Sequence, residues 1–124
     1  MSKDFRSMGK DFRSMGDIDR LIHEPARMMI VAILYNWHSV DYLYLLRETG
    51  LTKGNLTSHL SKLEAVGYIE IEKTFKGKVP LTICHLSDKG RGAFEAYRQH
   101  LKRIVETTAQ DNITLEEELE PFSG

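Results

Sequence analysis

The segment LTKGNLTSHLSKLEAVGYIEIEK, from Leu51 to Lys73, decides how the rest of the chain is read. Thr52 offers a hydroxyl suited to the unpaired amides of a helix start. Leu56, Leu60 and Leu63 recur at steps of four and three, one apolar stripe on a helix of 3.6 residues per turn. Gly67 follows the last turn, where a left-handed cap is least costly for a residue without a Cβ. The spacing therefore predicts a helix over 52–66, a glycine stop and a strand opening at Tyr68. Opposite the leucines lie Gly54, Asn55, Ser58, Ser61, Lys62 and Ala65, which are small or polar and include no carboxylate.

Upstream, Asp41 to Thr49 reads as another helix, with Leu45 and Leu46 inward and Gly50 ending it. Helix, Gly50-Leu51-Thr52 turn and helix form a helix-turn-helix pattern. Before it, Pro25 sits where a helix's first turn tolerates a missing N–H. Ala26 to Tyr35 is apolar nearly all round, which predicts a central buried helix. Asp17 to Ile22 reads as one short helix ahead of it. Downstream, Tyr68–Phe75 and Val79–Leu86 are rich in β-branched and aromatic residues and are joined by Lys76-Gly77-Lys78, a hairpin signature. Pro80 cannot donate to a ladder and is expected at an edge or an unpaired site. Ser87 then caps a last helix, from Asp88 to about Ala109. The fold expected is mainly α with a small β-hairpin: a three-helix core, a wing and a long C-terminal helix.

Length and composition bound the class. A chain of 124 residues, 41% hydrophobic and 28% charged, fits one soluble domain with a modest core that a partner subunit would help. The longest apolar run, Met28 to Tyr35, is far short of the roughly 20 residues that span a bilayer. The start lacks an apolar signal segment, and Cys84 is the single cysteine, so a reducing cytoplasm is expected. The net charge of −1 hides an uneven distribution. Residues 17–110 hold thirteen Lys/Arg against eleven acids, whereas residues 111–124 hold five acids and no Lys/Arg. The middle is mildly basic, and local charge governs a phosphate-binding surface.

At the N-terminus KDFRSMG occurs twice in tandem, at 3–9 and 10–16. One heptapeptide copied once builds no repeat array. Residues 1–16 are read as a disordered extension, 17–87 as the folded domain, 88–110 as its C-terminal helix and 111–124 as a disordered acidic tail.

Three helices followed by a lysine-tipped hairpin is the layout of a winged helix. RLIHEPARMMIVAIL, LLRETGLTKGNLTSHLSKLEAVGYIEIEKTFKGK and LSDKGRGAFEAY resemble the small winged helix-turn-helix transcriptional regulators related to the MarR and ArsR groups. They are similar to the single-domain winged helix DNA-binding family of bacteria and archaea, over about residues 17–100. The resemblance implies that helix 52–66 enters the major groove of a double-stranded operator and that the hairpin lies on the flanking backbone. It also implies a homodimer joined through the terminal helices, with repression of transcription as the expected outcome.

Residue types sharpen these expectations. Asn55, Ser58 and Lys62 are candidates for base-edge or phosphate contacts, since Asn pairs bidentately with adenine and Lys reaches guanine or phosphate. Lys53, Thr57 and Ser61 accompany them, near a helix start whose amides favour phosphate. The bland reading is a solvated helix face. Lys73, Lys76 and Lys78 around Gly77 could each neutralise a phosphate, or merely protect an exposed strand edge. Phe94, Tyr97, Leu101, Ile104 and Val105, at helical spacing, are the expected dimer stripe, and packing on their own domain is the alternative.

His59 is expected to be packed, and the aromatics Tyr35, Trp37, Tyr42 and Tyr44 either pack at the first interhelix connection, line a pocket for an unidentified small-molecule effector or complete the dimer interface. Cys84-His85 point to opposite faces of a strand and the other histidines are scattered, so neither a metal nor a cofactor is expected. No nucleophile elbow, phosphate loop or paired-acid motif is present, so no enzyme is expected. The competing function is a winged helix that binds protein without specific DNA recognition.

Overall fold

The computed structural model describes residues 12–123, with side chains to residue 108. Two compact units divide the chain, one over Asp19–Tyr97 and a flanking one that includes residues 12–18 and 98–123.

In the first unit, α1 spans Pro25–Trp37, β1 Ser39–Asp41, α2 Tyr42–Thr49, α3 Lys53–Ala65, β2 Ile69–Lys76 and β3 Val79–Leu86. The last helix, α4, runs Asp88–Ser123 and so begins in this unit. The three strands form one antiparallel sheet in the order β1-β3-β2. A third strand thus joins the expected hairpin, pairing Ser39, Val40 and Asp41 with His85, Cys84 and Ile83. Three residues are too few for strand alternation to show in a sequence.

Each helix start has an identifiable cap. Glu24 caps α1, its carboxylate accepting from the amides of Ala26 at 3.2 Å and Arg27 at 3.0 Å. Burial raises the Glu24 carboxyl's pKa, but those two amides, with His59 and Arg27 nearby, outweigh it and hold it below its ordinary value. Asp41 caps α2 and Thr52 caps α3, accepting from Tyr44 N–H at 2.8 Å and Asn55 N–H at 3.2 Å. Gly50, Gly67 and Gly77 have φ of +69°, +82° and +65°, so each chain reversal uses a conformation that costs glycine least. His38 reaches φ +67° without that freedom at the α1–β1 corner, where its carbonyl accepts from Leu86 N–H at 2.9 Å.

The core forms where the apolar stripes meet. Leu56, Leu60 and Leu63 of α3 are buried against Ile30, Val31 and Leu34 of α1, Leu45 of α2 and Ile69 and Cys84 of the sheet. Full burial of each such leucine contributes about 1.5–3 kcal/mol. Within the apolar run Ala26–Tyr35 only Met29, at 39%, is exposed; the other residues are buried or half-buried, as expected of a central helix, and Trp37 beyond the run is 61% exposed.

Three other expectations change. Of the helix expected over Asp17 to Ile22 only Asp17 is helical; after it the Asp19 carboxylate accepts from Leu21 and Ile22 amides at 3.0 and 3.1 Å and holds a turn instead. Of the extension read as disordered over 1–16, residues 1–11 lie outside the described residues, and Phe12–Asp17 forms a 3-10 helix. Helix α4 passes the expected boundary at residue 110 and includes the acidic segment through Ser123. Leu and Glu, frequent there, are strong helix formers, and propensity overrides the charge signal.

Candidate nucleic-acid interface

Helix α3 presents three stripes. Leu56, Leu60 and Leu63 face the core. Asn55, Ser58 and Lys62, at steps of three and four, form an exposed stripe with no acid between them. Thr57, Ser61 and Glu64 form a third, turned toward the sheet.

The third stripe and the sheet bound a groove of about 620 Å³, lined by Tyr42, Thr57, Leu60, Ser61, Glu64, Ile71, Lys73 and Thr82. Leu60 and Ile71 are its apolar lining, and hydroxyls, Lys73 and the Glu64 carboxylate are its polar lining. Tyr42, from the first turn of α2, fixes the rim. Its hydroxyl donates to the Lys53 carbonyl at 3.1 Å and lies 3.1 Å from Thr57 Oγ1. Thr52 caps the Asn55 amide, but the first turn of α3 has no acidic residue, so no carboxylate on that turn offsets the positive end of its dipole. That arrangement suits an anion such as a phosphodiester.

Behind α3, Arg27 holds two elements together. Its Nε donates to the Leu21 carbonyl at 2.6 Å, and its Nη1 lies 3.1 Å from His59 Nδ1. His59 is thus packed on the α1 side of the helix and does not belong to the exposed stripe.

Beyond the groove, β2 and β3 continue as a bare two-stranded hairpin. β1 pairs only as far as Ile83, so the outer edge of β3 is free at Pro80. Gly77 at the first position of a two-residue turn gives the hairpin its preferred reversal. Lys73, Lys76 and Lys78 are all exposed on it.

The family model for the winged helix DNA-binding domain matches residues 26–105, which include every element just described. The chain belongs to the winged helix DNA-binding domain family. An uncharacterized protein of Methanocaldococcus jannaschii is 39% identical over 79 residues, 63% of this chain and 85% of that protein. Among solved structures, a transcriptional regulator homologue of Pyrococcus horikoshii superposes with a TM-score of 0.68 at 24% identity, covering 71% of this chain and 87% of that one. A MarR-family transcriptional regulator of Silicibacter pomeroyi gives 0.55 at 19% identity, covering 86% and 75%. This winged helix domain therefore has the fold of MarR-type regulators.

Within the winged helix, Lys53, Asn55, Thr57, Ser58, Ser61 and Lys62 are all exposed on α3. Thr57 and Ser61 share the groove with Lys73, while Lys76 and Lys78 stand apart at the hairpin end. The expected dimer stripe divides. Phe94 and Tyr97 are 8% and 2% exposed, with Phe94 packed 5.1 Å from the Tyr35 ring and Tyr97 5.9 Å from His23, so both serve their own domain. Val105 is 60% exposed.

Sequence reasoning offered Tyr42 as a pocket-lining residue but missed its bonds to Lys53 and Thr57 and the place of Glu64 in the groove, since nothing in the α2 sequence shows where a first-turn tyrosine will reach. Cys84 is fully buried, and burial, then Asp41 and Glu64, push its thiol up to about 11. Among the described residues no group of three or more His, Cys, Asp or Glu could hold a metal ion, and no helix is long and apolar enough to cross a membrane.

Proposed function

We propose that this winged helix is a sequence-specific double-stranded DNA-binding regulator that acts as a homodimeric repressor. In this reading α3 enters the major groove, where Asn55, Ser58 and Lys62 meet base edges and Lys53, Thr57 and Ser61 meet the adjoining backbone. Lys73, Lys76 and Lys78 hold the phosphates flanking it. The observation that carries the reading is the acid-free exposed stripe of Asn55, Ser58 and Lys62 on α3, beside a groove whose lining offers hydroxyls and Lys73 along with one carboxylate, Glu64. A duplex presents the complementary surface: acceptor-rich base edges bordered by phosphates.

Dimerisation rests on Leu101, Ile104 and Val105, the part of the apolar stripe beyond the residues buried in the domain. Two copies would place two α3 helices on half-sites about one DNA turn apart. Repression follows if an occupied operator excludes the transcription machinery. The groove between α3 and the sheet is also within the size range of small-molecule sites. An effector bound there would meet Thr57, Ser61 and Lys73 and compete with the backbone.

Selection of duplexes from a random pool by the purified chain tests the reading. It should enrich a two-fold symmetric motif, and light scattering at micromolar concentration should give the mass of two chains. A pool that stays random defeats the regulator reading, and a one-chain mass defeats the dimer.

A further inference from the structure

The wing ends in an apolar tip that phosphate contact does not account for. Phe75 is 67% and Val79 65% exposed, and Pro80 is exposed beside them. Phe75 lies directly opposite Pro80 in the β2–β3 register, so the two share one face of the hairpin. Alternation along β2 puts Phe75 on the same face as Ile71 and Lys73, which line the groove beside α3. The apolar pair thus continues the surface that a duplex on α3 would meet. Lysines flank it: Lys73 two residues inward, Lys76 and Lys78 about the turn. None of the three forms an ion pair among the described residues.

We infer that Phe75, backed by Pro80, is a wedge that the wing tip inserts at a base step in the DNA minor groove, so that the protein reads how readily its site deforms. This rests on the DNA-binding reading and adds a specificity residue to it. Reach permits it: from Lys73 to Gly77 the hairpin projects about 14 Å, enough to pass one strand from a major groove about 12 Å wide. Charge favours DNA over an apolar protein partner, because three lysines ring the tip and would anchor phosphates on either side of the step. An inserted aromatic unstacks neighbouring bases and kinks the duplex, which is least costly at flexible pyrimidine–purine steps. Phe75 therefore selects sequence without hydrogen-bonding any base.

The test uses the full chain and a duplex enriched by it, labelled at both ends for energy transfer and carrying 2-aminopurine at candidate steps. Phe75→Ala should weaken binding about tenfold or more, the scale of one lost base–aromatic stack. It should remove both the bend and the 2-aminopurine signal while leaving the salt slope and the thermal midpoint unchanged. Phe75→Tyr should retain the bend. If Phe75→Ala binds and bends the duplex like the wild type, the wedge is wrong and DNA binding stands. If Phe75→Ala alters only the mass in solution, the tip is a protein contact and the inference is overturned. A wild-type chain that binds no duplex at low salt removes the parent reading as well.

Discussion

The carbonyl oxygen of Tyr68 lies 2.1 Å from the point where a β-carbon on residue 90 would stand, so only glycine fits Gly90. The same carbonyl accepts from Ser87 N–H at 3.0 Å, and the Ser87 hydroxyl accepts from Gly90 N–H at 3.0 Å while donating to the Gly67 carbonyl. One contact thus joins the end of α3, the start of β2 and the start of α4. Gly90→Ala should destabilise the domain by about 3 kcal/mol, because the clash is with backbone. Chemical denaturation of the variant would measure it; a loss below 1 kcal/mol would show that α4 shifts freely.

Tyr42→Phe removes one hydroxyl that touches both the Lys53 carbonyl and Thr57. Stability should fall by about 1 kcal/mol, the scale of a partly exposed hydrogen bond. Duplex affinity should fall several-fold with an unchanged salt slope, since no cation is lost. Full retention of affinity would show that the groove rim does not set the pose of α3.

Cys84 should be inert in the folded protein. Its thiol is buried and pushed up to about 11, so little thiolate exists near neutrality. Ellman's reagent should react slowly with native protein and at once after denaturation. Fast native labelling would contradict the burial.

Glu24 contributes an acid dependence. Its carboxyl is held below the ordinary value of 4.5 in the folded state. The stabilisation is therefore complete above that value and is lost as pH falls through the lower folded one. Thermal melts in acid should show a decline that Glu24→Gln flattens, with the variant about 1 kcal/mol less stable at neutral pH. Parallel pH profiles would remove Glu24 as the cause.

Most of the winged helix was legible in the sequence because its signals are local. The Leu56–Leu60–Leu63 spacing, the Thr52 cap and Gly50, Gly67 and Gly77 each follow from near-neighbour geometry. What could not be read depends on distant residues. β1 exists because three residues after His38 happen to meet β3, and Tyr42 joins the groove because α2 is carried beside α3. Phe94 and Tyr97 illustrate the ambiguity of an apolar stripe: periodicity shows that a face is covered, not whether Tyr35 and His23 or a second chain covers it. The lysines at 73, 76 and 78 were visible as charge, while Phe75 passed as an ordinary strand residue until its exposure was known.

The most direct test of the account is the salt dependence of duplex binding by the wild type, Lys76→Ala, Lys78→Ala and Asn55→Ala. The wild type should lose affinity steeply as salt rises, and each lysine variant should reduce the log–log slope by roughly one while weakening binding to all sequences alike. Asn55→Ala should keep the slope and lose preference among sequences. Slopes that do not change in the lysine variants, or binding that ignores salt, would contradict a wing that holds DNA by its phosphates.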